Sequence, residues 1–205
     1  MKFLIGEKVN MTQVFDATGN VVPVTLVRVM PNIAIQIRTQ EKDGYDALQI
    51  ATGTRKPKRI AKPQIGHFKE LGNFRHVREL RLEEPATLVR GVSFDVSVFS
   101  EGDNVRVSGI SKSKGFQGVV KRHGFHGAPA THGVKHAHRQ PGSIGGSGGR
   151  AGGRVAKGLR MAGRMGGVRI STRNLEIVKV DVENNMLAIK GAVPGRRGTL
   201  VEIKG

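Results

Sequence analysis

No cysteine occurs among the 205 residues. That removes disulfides, thiolate metal sites and cysteine nucleophiles together. No stretch of about eighteen apolar residues occurs either, so no membrane-spanning helix is expected. The opening residues, Met1 to Lys8, lack the long apolar core of a signal peptide and the Arg- and Ser-rich pattern of a transit peptide, and read as a first strand. A cytoplasmic protein, or a mature organellar one of bacterial type, is the expectation. Acid is scarce, 16 Asp and Glu against 34 Lys and Arg, and none falls between Asn104 and Leu175. From Ala128 to Gly167 there is no Phe, Tyr or Trp and little large apolar side chain.

What is present is positive charge and glycine. The formal net charge is +18. A monomer gains nothing from such self-repulsion, and the usual reason to carry it is a polyanionic partner. The charge is segregated. Fourteen Lys and Arg lie in the acid-free run from Asn104 to Leu175, and Gly53 to Arg81 holds nine basic and two acidic residues. The remainder of the chain is close to neutral. A merely solvated surface intersperses both signs, so the acid-free run points to nucleic acid. The same run holds seventeen of the 29 glycines. Its stretch from about Ala128 to Gly167 cannot bury enough surface to offset its conformational entropy and is expected to be loosely held alone. Glycine also lets backbone approach a phosphate or sugar closely.

The rest reads as β. Phe3 to Lys8 and Thr12 to Phe15 are short strands, followed by the turn signal Asp16 to Asn20 and the β-branched Val21 to Val29. Ile33 to Arg38, Ala47 to Ala51, Val92 to Phe99, Asn104 to Ile110, Leu175 to Asp181, Met186 to Lys190 and Thr199 to Ile203 follow. Many short strands joined by turns predict a small barrel or sandwich. Since three strands come after the basic run, that run is an insertion, not a tail. One short helix is expected in the first basic segment, with Pro63 near its start and Gly72 at its end. Ile65, Phe68 and Leu71 would then pack on the barrel. The expected division is a body of 1–110 and 174–205, with a basic excursion at 53–81, and a loop of 111–173.

Three stretches carry a specific resemblance. They are Leu4-Ile5-Gly6-Glu7-Lys8-Val9-Asn10-Met11-Thr12-Gln13-Val14-Phe15-Asp16, then Ser113-Lys114-Gly115-Phe116-Gln117-Gly118-Val119-Val120-Lys121-Arg122-His123-Gly124-Phe125, and then His138-Arg139-Gln140-Pro141-Gly142-Ser143-Ile144-Gly145 with Gly153-Arg154-Val155-Ala156-Lys157-Gly158-Leu159-Arg160-Met161-Ala162-Gly163-Arg164-Met165-Gly166. In this order they resemble the bacterial form of the large-subunit ribosomal protein L-three family, over essentially the whole chain. The resemblance implies a translation-protein-type β-barrel and a long loop reaching through large-subunit ribosomal RNA toward the peptidyl transferase centre. It also implies RNA binding early in subunit assembly, neighbouring ribosomal proteins as partners, and a ribosome-bound location. The loop tip would lie at about 139–153. Some bacterial relatives have Gln-x-x-x-Pro-Gly after Ser-Ile-Gly, with the first Gln methylated; Gly146 stands there in this chain, which puts that modification in doubt.

The expected RNA contacts are Arg55, Lys56, Lys58 and Arg59 before the helix. In the loop they are Lys112, Lys114, Lys121, Arg122, His123, His126, Lys135, His138, Arg139, Arg150, Arg154, Lys157, Arg160, Arg164 and Arg169. As a bare motif, Arg55 to Arg59 also fits a solvated loop or a localisation signal. His123, His126, His132, His136 and His138 fall within sixteen residues and invite a metal reading. Without Cys or acid nearby, and with cations around them, imidazoles stacking on bases or bonding phosphates are preferred. No Gly-x-x-x-x-Gly-Lys-Ser/Thr pattern and no nucleophile elbow occurs. No cofactor, metal, small-molecule substrate, membrane or enzymatic activity is expected. The rival from another class is a free basic RNA chaperone or a nucleic-acid-compacting protein.

Overall fold

The computed structural model describes residues 2–16, 18–83, 88–145 and 155–205. In chain order the strands are β1 (Phe3–Phe15), β2 (Val21–Arg28), β3 (Asn32–Arg38), β4 (Ala47–Thr54), β5 (Phe74–Arg81) and β6 (Ser93–Phe94). They continue as β7 (Asn104–Ile110), β8 (Phe116–Gln117), β9 (Gly163–Arg164), β10 (Arg169–Asp181), β11 (Met186–Lys190) and β12 (Leu200–Lys204). The helices are α1 (Gln40–Asp43), α2 (Lys62–Phe68) and α3 (Val119–His123). The chain forms two compact units, Met1–Ile110 with Arg169–Gly205, and Ser111–Val168.

In the first unit a closed barrel runs in the order β1-β12-β7-β10-β11-β2, with β2 returning to β1 and every pairing antiparallel. Alternating apolar positions make it. Leu4, Val27, Val107, Ile177, Leu187, Ile189, Val201 and Ile203 are fully buried and form one cluster. Each such side chain stabilises the fold by about 1.5–3 kcal/mol on burial. Closure leaves no strand edge open to other chains. The mainly-β barrel expected from the sequence is thus present.

Several elements differ from expectation. The first two strands are one, β1, because a register shift between Lys8 and Asn10 absorbs the break in alternation. Its first half bonds β12 and its second half forms a long ribbon with β2. The strand expected from Leu175 begins at Arg169, so Arg169 to Arg173 lie in a barrel strand. Val92 to Phe99 is not one strand. After β6, the Asp95 carboxylate accepts a hydrogen bond from the Ser97 N–H and starts a 3-10 turn at Val96–Val98.

A second sheet is ordered β5-β4-β3-β6; β3 and β4 fall where strands are expected, but β5 and the separation of these strands from the barrel are not legible in the sequence. The strand β5 reads Phe-Arg-His-Val-Arg-Glu-Leu-Arg, with apolar residues three apart, which hides a period of two. The α2 helix starts one residue before Pro63, and Lys69, at φ 51°, ends it ahead of a single 3-10 turn over Lys69–Leu71. Phe68 and Leu71 pack not in the barrel core but with Ile35, Ala51, Ile60 and Phe74 of this second sheet and its flank. Phe68 meets Phe74 edge to face at 5.3 Å, while Ile65 faces solvent. The short helices α1 and α3 were also unanticipated.

Candidate nucleic-acid interface

The second unit, Ser111–Val168, contains eleven Lys and Arg and no carboxylate side chain. Its two arms are laced together by backbone. The Ser111 N–H donates to the Val168 carbonyl, Lys114 N–H to Met165, and Met165 N–H to Gly115, each at 2.9 Å. Next to these, β8 and β9 pair with Phe116 opposite Arg164 and Gln117 opposite Gly163. The α3 helix follows at once and ends at left-handed Gly124. Its last turn carries Lys121, Arg122 and His123, where the helix dipole favours cations. Val119 anchors it by burial.

Two of the expected RNA contacts tie the arms to each other. The Arg122 guanidinium donates to the Met161 carbonyl at 2.6 Å, and His123 Nε2 lies 3.1 Å from the same oxygen. Both side chains are half-buried, and so is His138. Lys112, Lys114, Lys121, His126, Lys135, Arg139, Lys157, Arg160 and Arg164 are exposed. A cleft of about 350 Å³ opens between Phe125, Pro141, Ile144 and Leu159, with Arg160 on its wall. Gly146, Arg150, Arg154 and most of the expected tip lie outside the described residues.

In the first unit, Arg55, Lys56, Lys58 and Arg59 are all exposed, around the 3-10 turn Pro57–Arg59. The Arg55 N–H donates to Asn73 at 3.0 Å, which fixes where this basic segment leaves β4. Among the described residues, none of these four is in an ion pair. Nearby, burial pushes the His76 imidazole below its ordinary value, and the charges of Arg75 and Arg78 push it the same way. Arg169 is differently placed. It lies on β10 and pairs with Glu202, whose carboxylate also accepts from Arg78 Nε at 2.8 Å. Glu202 thus divides its charge between two arginines, and Arg169 is committed in part to the barrel.

The histidines do not gather. Among the described residues, no group of three or more His, Asp or Glu side chains could hold a metal ion. No helix among the described residues is long and apolar enough to cross a membrane. Cations are conspicuous in the sequence of this unit and its aromatic residues are not. Phe116, 77% exposed, and Phe125 in the cleft stand among those cations. The available signal was their place between glycines in an acid-free segment, where a large apolar side chain has no core to join.

An acid-free, cation-covered pair of arms anchored at both ends in a barrel suits a polyanion of fixed shape. Comparison with known proteins points the same way. Residues 85–185 match the family described as Ribosomal protein L3. The chain is 53% identical over 206 residues to the large ribosomal subunit protein uL3 of Rhodococcus erythropolis, spanning all of this chain and 94% of that protein. It is 52% identical over 208 residues to the uL3 protein of Mycolicibacterium smegmatis, covering 99% and 95% of the two chains. With the uL3 protein of Nocardia farcinica, identity is 49% over 203 residues, covering 98% and 91%. Identity at this level over the barrel and the basic arms alike leaves one conclusion: the chain belongs to the ribosomal protein L3 family.

Proposed function

We propose that this chain is a structural, non-catalytic constituent of the large ribosomal subunit that binds its RNA through the Ser111–Val168 unit. The observation that carries this is the eleven Lys and Arg of that unit, unopposed by any carboxylate, of which the nine among the described residues are exposed or half-buried. Cations without acid partners gain most from phosphate, because binding releases the condensed counterions of the RNA. The laced arms hold these cations on a defined backbone, so the unit enters RNA as a shaped element. The exposed Arg55 to Arg59 segment supplies further contacts from the first unit. In this reading the segment that carries Arg139, Arg150 and Arg154 reaches toward the peptidyl transferase centre, where RNA does the chemistry. Binding takes place early in assembly, with other ribosomal proteins as neighbours, and the protein works bound to ribosomes in the cytoplasm.

Sedimentation tests this. After a moderate salt wash of a cell extract, the chain should travel with the large subunit at one copy per particle. A chain that stays near the top of the gradient is a free RNA chaperone or compacting protein, and the proposal fails.

A further inference from the structure

The β8–β9 ribbon has two unlike faces. Opposed residues of an antiparallel pair project to the same side, and successive residues to opposite sides. Gln117 and Gly163 therefore share one face, and Phe116 and Arg164 the other. The first face is occupied: a Cβ on Gly163 would come within 2.8 Å of Arg122 Nη1, so the guanidinium of α3 lies directly against it. The second face is open. Phe116 is the most exposed large apolar side chain among the described residues, at 77%, and Arg164 beside it is exposed as well. The Arg164 guanidinium rests over Gly167, where a Cβ would lie 2.9 Å from Nη2.

We propose that this open face is a stacking site for one unpaired nucleobase, with the base on the Phe116 ring and its adjoining phosphate on the Arg164 guanidinium. The inference rests on the RNA-binding reading above. A phenyl ring held in water carries an unfavourable free energy that is relieved when another apolar surface covers it. The unit around it decides what that is. A protein partner would have to face a segment of eleven cations with no acid, whereas an unstacked nucleotide brings the negative charge of its phosphate. Base and ring offer each other π faces, and the interaction tolerates any base. Arg bonds phosphate oxygens with a planar fork that Lys cannot reproduce. Because the ribbon is pinned by the Lys114 and Met165 backbone bonds, little order has to be imposed on binding.

The chain contains no tryptophan and one tyrosine, Tyr45, so Phe116→Trp introduces a single tryptophan at the proposed site that can be excited apart from Tyr45. The full chain is titrated with protein-free large-subunit ribosomal RNA while binding is followed by filter retention. Phe15→Trp, on the β1–β2 ribbon and 64% exposed at the original Phe, serves as the comparison. Fluorescence at position 116 should be strongly quenched at saturation and that at position 15 little changed. Phe116→Leu should lose roughly 5- to 100-fold in affinity and Phe116→Tyr no more than about twofold, with unfolding midpoints unchanged. Tight RNA binding without quenching at 116, or equal affinity of the Leu and Tyr variants, overturns the stacking site and leaves the RNA-binding reading standing. Quenching that appears only in whole subunits, and not on bare RNA, assigns the face to a protein neighbour and also overturns it. If the unmodified chain itself retains no RNA, the RNA-binding reading fails and this site with it.

Discussion

Gly166 stands so close to Lys112 that a Cβ on it would lie 2.1 Å from the Lys112 carbonyl oxygen. Its φ of 74° is also one that L side chains adopt at a cost of about 1–2 kcal/mol. The two arms of the basic unit are closed at this point, one backbone against the other. Gly166→Ala should therefore part the arms there. Amide exchange is expected to accelerate at Lys114 and Met165, whose N–H groups bridge the arms, while exchange in the barrel strands stays as before. Unchanged protection at Lys114 and Met165 would show that the closure does not depend on this glycine.

The division of labour between Arg169 and Arg160 predicts opposite phenotypes. Arg169 pairs with Glu202 on the barrel; Arg160 lies exposed beside the cleft of the basic unit. If about half of the eleven cations meet phosphates, log affinity for large-subunit RNA should fall with log salt at a slope of roughly −4 to −5. Arg160→Ala should reduce that slope by about 1 and leave urea stability alone. Arg169→Ala should do the reverse. Since its side chain is 61% exposed, solvent screening keeps the stability loss under about 1 kcal/mol. Equal slopes for both variants would remove Arg160 from the phosphate-binding set.

These residues are unevenly legible in the sequence. The bounds of β7 and β11 were legible because each is a short alternating segment between turn residues. The barrel order was not, since β1 meets β12 and β2 meets β11 across most of the chain, and nothing local encodes such pairings. The basic unit was visible from what it lacks, carboxylates. The roles within it were not: Arg122 and Arg139 look alike in sequence, yet one binds the Met161 carbonyl and the other is exposed. Arg169 looked like its neighbours in the loop until β10 placed it opposite Ile110. In the sequence Phe116 is only one residue of a motif, because its exposure depends on which face of a two-residue ribbon it takes.

Acid should weaken the first unit in a defined direction. The Asp103 carboxylate accepts from Lys2 Nζ at 2.5 Å and from the Ser100 N–H at 2.8 Å. The Lys2 hydrogen bond first, and the Ser100 bond next, hold it below the usual carboxylate range. With the folded value depressed, the unfolded carboxylate takes up its proton first. The stabilisation is complete above the unfolded value of about 4 and is lost as pH falls through the folded one. Asp103→Asn should be less stable than the unmodified chain at pH 7, and the two should converge toward pH 2. A gap that persists in acid would mean that the side chain stabilises β1 and β7 by something other than charge.

A reconstruction of the large ribosomal subunit from cells expressing this chain tests the central claim most directly. Density for Ser111–Val168 should run through ribosomal RNA, with Lys112, Lys114, Arg139, Lys157, Arg160 and Arg164 within hydrogen-bonding distance of phosphates or bases. Subunits that lack the chain, or hold only its barrel while the basic arms project into solvent, would contradict it.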